Sequence, residues 1–374
     1  VKRRLLLLSL LLAAGLHLRP AAIEWKQQCS AWFSLNDDKP STPRFGVRWQ
    51  PAFSLAKSMA RQWKIDCEFS LDASASGSAP AWIDAQISGA VKPYRLWLRL
   101  SSERFEARLG LQKINFGSAT VFRPLMWFDR IDVRDPLQIT TGVWGLLLRY
   151  YFKGNANLWV WGLYGNGDPK GWETLPTADR APEFGSRFQA PLFSGEAAAS
   201  AHFRRVPKAG LDPAAGRSTE SRFALDGKWD IGVGLWIEAA FVHLSDPAAM
   251  LPWQRSLAAG VDYTFGLGNG LYLLAEQYLC AAATTFAGVG SGGAFSAVLA
   301  RYPLGLLDNL SAVVYFDWRN RRLYSFAGWQ RTLDRWQFHL MAFWNPRTAP
   351  ELQVPSGSNA FAGGGFQLLA VWNI

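Results

Sequence analysis

Apolar and polar side chains alternate along most of this chain. The run 104–112 sets the pattern: Phe105, Ala107, Leu109 and Leu111 fall on one side, and Glu106, Arg108, Gly110 and Gln112 on the other. A period of two is that of a β-strand with one greasy and one wet face. The pattern predicts strands at 29–36, 45–50, 65–73, 92–100, 104–112, 142–152, 157–165, 183–191 and 196–205. It predicts further strands at 220–229, 233–243, 254–266, 270–280, 294–303, 310–319, 322–331, 335–345 and 366–374. That makes eighteen, or sixteen if a pair is miscounted around 54–64 and 281–293.

The connections alternate in length. Tight turns are read at 101–103, 153–155 and 267–270, the last carrying the Asn-Gly pair that tolerates the positive φ of a hairpin. Long polar links follow at 113–141, 166–181 and 346–361. The short link at 320–321 is the exception. A link as long as 113–141 is uncommon in a compact soluble domain. In a closed antiparallel transmembrane barrel it has a place: greasy faces meet lipid, wet faces meet a lumen, and the loop after the fifth strand folds into that lumen. The predicted fold is therefore all-β, with no sheet edge left open to lipid.

Composition points the same way. Aromatic residues make up 14% of the 374 residues, with 19 Trp, while charged residues make up 18%, below the ~25% usual in soluble domains. Beyond residue 16 no stretch approaches the apolar length of a spanning helix. The first residues, Val1-Lys-Arg-Arg4 followed by the apolar run 5–16, read as a secretory signal peptide over 1–22, with small residues at 13–15 or 21–22 as cleavage sites. A single barrel domain would then occupy 23–374. Removing Lys2, Arg3, Arg4 and Arg19 lowers the net charge from +10 to +6. Export argues against nucleic acid as the partner of this basic chain, and a basic lumen for anionic solutes takes its place. Cys29, Cys67 and Cys280 are odd in number and widely spaced, so no disulfide framework is expected. The four His are scattered, and neither a metal nor a cofactor is expected.

Eighteen dyad-repeat strands, a leader and a long loop after the fifth strand resemble Gram-negative outer-membrane porins. More loosely, Arg108-Leu-Gly-Leu-Gln112-Lys-Ile-Asn-Phe-Gly117, Phe122-Arg-Pro124 and Asp129-Arg-Ile-Asp-Val-Arg-Asp-Pro136 resemble the alginate-export and phosphate-selective porin types. Ile374 departs from the terminal Phe of standard porins, although Leu368 and Trp372 keep the last strand apolar. The resemblance implies passive diffusion of small polar solutes, anions favoured, across a bacterial outer membrane. It implies both termini in the periplasm, contact with outer-membrane lipid and lipopolysaccharide, and room for a homo-oligomer. It also implies that 115–141 narrows the pore.

The expected pore-lining and solute-binding residues are Arg48, Arg95, Trp97, Arg99, Arg108, Gln112, Lys113, Arg123, Arg149 and Arg187. Guanidinium groups stay charged and grip carboxylate or phosphate bidentately. They also have a bland reading, as partners of Asp66, Glu68, Glu106 and loop acids that merely fill a polar lumen. Asp129, Arg130, Asp132, Arg134 and Asp135 alternate in sign and are expected to anchor the loop through mutual salt bridges, or else to set a transverse field. Trp97 shares the lumen side with Arg95 and Arg99, which makes it the best stacking residue. Trp144, Trp159, Trp161, Trp229, Trp318, Trp336, Trp344 and Trp372 read as interfacial girdles. Two other classes remain open: a plugged scaffold barrel, and a barrel hydrolase using His202, His243 or His339.

Overall fold

The computed structural model describes residues 22–37, 42–59, 62–79, 85–131, 134–208, 216–347 and 361–374. The leader reading of 1–22 falls almost wholly outside these residues, as does Asp132. Eighteen antiparallel strands form one sheet: β1 (Ala22–Asn36), β2 (Arg44–Ser58), β3 (Lys64–Ser78), β4 (Gln86–Ser101), β5 (Phe105–Gln112), β6 (Val143–Tyr151), β7 (Asn157–Leu163), β8 (Glu183–Leu192) and β9 (Gly195–Pro207). They continue as β10 (Arg217–Asp230), β11 (Gly234–Leu244), β12 (Trp253–Phe265), β13 (Leu271–Ala283), β14 (Ser291–Pro303), β15 (Asp308–Asp317), β16 (Arg322–Thr332), β17 (Trp336–Asn345) and β18 (Gly363–Asn373). Every strand pairs with its sequence neighbours, and β1 pairs with β18 from Gln28↔Asn373 to Asn36↔Gly365. The barrel is closed, so no row of backbone donors and acceptors is left unpaired at an edge.

The alternation places the faces. Ile23, Val47, Phe69, Leu98, Leu109, Phe203, Leu225, Ile237, Val298, Leu323 and Leu368 all point outward and are exposed. So large an apolar outer surface belongs in lipid. One rim carries the tight turns, such as 102–104, 193–194 and 231–233, together with the start of β1 and the end of β18. The other rim carries the long links, with 318–321 as its one tight connection.

A bulge alters one predicted face. The β3–β4 register shifts between Ser70 and Leu71, and Tyr94 is the extra residue. An unbroken alternation over 92–100 would put Tyr94 on the side of Leu96, Leu98 and Leu100. The bulge turns it to the inner side, where it faces Gln28, Gln50 and Ser70 across a cavity. Local twist at a bulge re-aims side chains in this way.

The inner face is not uniformly polar. Phe116, Trp127 and Phe128 of the 113–142 segment pack with Trp161, Leu163 and Leu147. Phe122 and Val121 pack with Leu299, Val313, Tyr315, Phe326 and Phe343 from β14 to β17. Trp159 and Trp161, expected in an interfacial girdle, belong to this inner packing, and Trp161 is only 1% exposed. Phe116 covers them: its ring stacks on Trp161 at 5.6 Å and meets Trp159 edge-on at 6.3 Å. Trp144, Trp318, Trp336 and Trp344 are exposed on the outer side as expected.

Candidate pore and its loop anchors

The 113–142 segment leaves β5 beside β6 and is held on strands far around the sheet. Glu238 of β11 accepts the backbone N–H groups of Ala119 (2.6 Å) and Leu125 (3.2 Å). Glu276 of β13 accepts those of Thr120 (2.6 Å), Val121 (2.9 Å) and Phe122 (2.9 Å), and also the Trp236 indole N–H (3.0 Å). Both carboxylates are buried. A carboxylate is acceptor-only with about four lone-pair positions, so each satisfies several loop donors that would otherwise be orphaned. Gly117 lies so close to the Glu238 carboxylate that a Cβ there would collide with it, and its φ is +100°.

Asp132, a member of the expected salt-bridge network of the loop, lies outside the described residues. Arg130 donates to the carbonyl of Gly171 (3.1 Å) in the β7–β8 link. Arg134 lies over the rings of Phe326 (5.4 Å) and Phe361 (5.0 Å). Asp135 accepts the N–H groups of Leu137 (2.9 Å) and Ile139 (3.3 Å), closing a local turn. Asp129 is 1% exposed, and neither carboxylate oxygen has a side-chain partner or well-formed hydrogen bond. Burial pushes its carboxyl up to about 6, against the pull of Lys113 and Arg95. Burial likewise lowers Lys113 and Arg123. A charge in low dielectric is disfavoured in this manner whichever its sign.

The β7–β8 link packs onto the same side. Lys170 pairs with Glu183 (3.0 Å) and Glu173 (3.3 Å). Arg204 grips Glu220 with two bonds of 2.7 Å, and Arg222 bridges Glu220 (2.6 Å) and Glu173 (2.9 Å). His202, with no exposed surface, takes the Trp161 indole N–H on Nδ1 (3.1 Å). Its ring proton therefore sits on Nε2, 3.1 Å from Glu183. This set of three cations and three carboxylates was invisible as spacing, because its members come from one link and three strands.

The expected pore-lining residues separate into groups. Arg99, Arg108 and Arg149 surround Glu106 at 3.6, 3.0 and 3.6 Å, and Arg99 also grips Asp66. The faces of two indoles back them: Trp97 under Arg99 and Arg108, and Trp159 under Arg149 at 3.8 Å. Three guanidinium groups share two carboxylates here, and each keeps part of its surface open. Arg48 pairs with Asp72 at 3.1 Å and is also partly open. Arg95 is turned to the loop, donating to the hydroxyl of Thr140 (2.7 Å) and to its carbonyl. Arg187 is buried in a two-bond pair with Asp226, under Phe116. Gln112, expected to line the pore, has no exposed surface and donates to the carbonyls of Arg108 and Gly145. Arg123 is buried against Asn115 of its own loop, and Lys113 is half-buried near Asp129.

A cavity of about 650 Å³ remains between Leu137 and Ile139 of the loop and Gln28, Gln50, Glu68, Ser70 and Tyr94 of β1 to β4. A second, of about 300 Å³, lies on the β14–β17 side beside Arg301, Gln337 and His339.

A closed eighteen-stranded barrel with an apolar exterior, tight turns on one rim and long links on the other has the architecture of an outer-membrane porin. No known family model and no curated protein matches the chain. Solved structures do match in fold. OccD3 of Pseudomonas aeruginosa is similar over 94% of this chain and 91% of its own, at 10% identity and a TM-score of 0.57. OccK5 of the same organism matches over 94% and 98%, at 12% identity and a TM-score of 0.54. The outer-membrane protein OmpT of Vibrio cholerae matches over 96% and 99%, at 11% identity and a TM-score of 0.53.

Proposed function

We propose that the protein is a porin-like outer-membrane channel for passive diffusion of small polar solutes, biased toward anions. The observation that carries this reading is the closed barrel with a cavity left between the 113–142 segment and β1–β4; elsewhere on β4 to β6, Arg99, Arg108 and Arg149 keep part of their surface open. On this reading the segment crosses the lumen and narrows it, the tight-turn rim and both termini face the periplasm, and the protein acts without chemistry on its solutes. The arginines act by electrostatic bias, as rings of fixed charge do in selective pores. Arg48, Arg99, Arg108, Arg149 and Trp97 are the solute-facing residues. Arg95, Arg130, Arg134 and Asp135 hold the loop.

A plugged scaffold is the second reading, and the aromatic packing of Phe116, Phe122, Trp127 and Phe128 favours it. Single-channel recording of the refolded barrel in a salt gradient separates the two. The channel reading expects steady conductance with an anion-directed reversal potential, enlarged when residues 115–141 are deleted. A folded barrel that conducts nothing with the loop intact sinks it.

A further inference from the structure

Between the two packed links lies a third cavity, of about 290 Å³, that the channel reading does not use. It opens among the ends of β10 to β14 nearest the long-link rim, whereas the pore cavity reaches Trp25 and Ile374 near the tight-turn rim. A solute arriving from the long-link side meets it first. We propose that this cavity is a binding site for a neutral, polyhydroxylated ring the size of one sugar.

Its charge balance argues for a neutral occupant. Glu173 and Glu220 line it, but both are already held by Arg204 and Arg222, and Glu173 also by Lys170. Arg255 also lines it, its guanidinium donating to the Phe286 and Gly288 carbonyls; an arriving anion would meet two carboxylates and would have to displace those carbonyls to reach this arginine. An arriving cation would meet Arg222 and gain no free carboxylate. Its volume sits at the floor of the ~300–1,000 Å³ typical of ligand sites, which limits the guest to one ring.

The remaining lining suits a ring with an apolar face and hydroxyl edges. Trp172 is half-buried, and its indole N–H donates to the Arg123 carbonyl at 2.9 Å, which fixes the plane of the ring. Tyr278, stacked on Phe122 at 5.3 Å, supplies a second fixed aromatic surface. Rigid aromatic faces take up the C–H side of a pyranose at little entropic cost. The Thr174 hydroxyl and the Gln254 carboxamide are exposed and make no hydrogen bond among the described residues. They are free to meet ring hydroxyls with both donors and acceptors.

The test compares three pyranose probes of closely similar shape: glucose, glucuronate and glucosamine. Ligand-observed saturation-transfer NMR on the refolded full chain in detergent reads binding without conduction, so a failed conductance test leaves it standing. The expected result is glucose binding with Kd in the millimolar range, and at least about tenfold weaker binding of the charged pair. Gln254→Ala weakens glucose by about tenfold, and Trp172→Leu abolishes the transfer. Each variant is first shown to be folded by its heat-modifiable gel mobility. Absence of transfer at about 100 mM glucose overturns the proposal. So does equal binding of all three probes, or unchanged glucose affinity in the folded Gln254→Ala protein.

Discussion

Removing the Glu276 carboxylate should loosen the long loop, and the geometry sets by how much. In Glu276→Ala the N–H groups of Thr120, Val121 and Phe122 and the Trp236 indole all lose their acceptor. Leaving one buried donor unsatisfied costs about 1–3 kcal/mol. Water admitted by the smaller side chain recovers part of that, so a net loss near 4 kcal/mol is a reasonable total for four donors. At about 1.4 kcal/mol per factor of ten, the docked loop then opens roughly a thousandfold more often. Hydrogen exchange of the Val121 and Phe122 amides, followed by mass spectrometry on the refolded barrel, reads that opening directly. The rates should rise by about that factor, while amides in β12 and β15 keep their protection. Glu276→Gln should fall between, because its carbonyl still accepts while its NH₂ faces donors. If exchange at 120–122 is unchanged in a folded Glu276→Ala barrel, the carboxylate is not what holds the loop.

Other expectations follow from the same geometry. Asp129 titrates at about 6 in the docked loop against 3.8 for a free carboxyl; the docked form therefore binds its proton more tightly, and docking strengthens as pH falls from about 6 toward 4, by at most about 3 kcal/mol. Exchange at 120–122 should slow on going from pH 7.5 to 5 after correction for intrinsic rates, and Asp129→Asn should abolish that dependence. Arg108→Ser with Arg149→Ser removes two of the three guanidiniums around Glu106 and should shift the reversal potential toward cation preference; an unshifted potential would mean that these arginines do not face permeating ions. Gly171 has φ +46°, and a Cβ there would collide with the Met126 carbonyl, so Gly171→Ala should part the two links and cost about 2 kcal/mol or more, seen as faster exchange in 123–128 and a lower melting temperature. His202→Ala orphans the Trp161 indole N–H and opens a buried gap, and should lower thermal stability by about 3 kcal/mol, measured by the temperature at which heat-modifiable mobility is lost.

The strands were legible because lipid on one side imposes a strict period of two. All eighteen predicted segments fall on the observed strands, and the sixteen-strand alternative fails because 54–58 continues β2 and 281–283 continues β13. Predicted ends fell short where β1, β3 and β4 run past the clean alternation, since residues 22–26 and 86–91 are exposed whichever way they point. Tyr94 was misplaced because a bulge breaks parity without leaving a mark in composition. The site was less legible. Trp159 and Trp161 have the spacing of a girdle, and only the arrival of Phe116 and His202 shows that they face inward. Glu238 and Glu276 alternate like any other wet-face acid. Their role appears only when a loop more than a hundred residues upstream reaches them.

That separation also orders events in time. The loop 113–142 is synthesised and threaded well before β11 and β13, and its acceptors Glu238 and Glu276 stand on those later strands. The barrel itself is sealed by β1 against β18, where the Gln28 side chain donates to that of Asn373 across 345 positions of sequence. Contacts between such distant positions form late, because the loop-closure entropy must first be overcome. A nascent barrel therefore passes through a stage in which the wall is partly built and the loop has nothing to hold. On the channel reading proposed above, closure before docking would leave a pore wider than the finished one until the Glu276 and Glu238 contacts form.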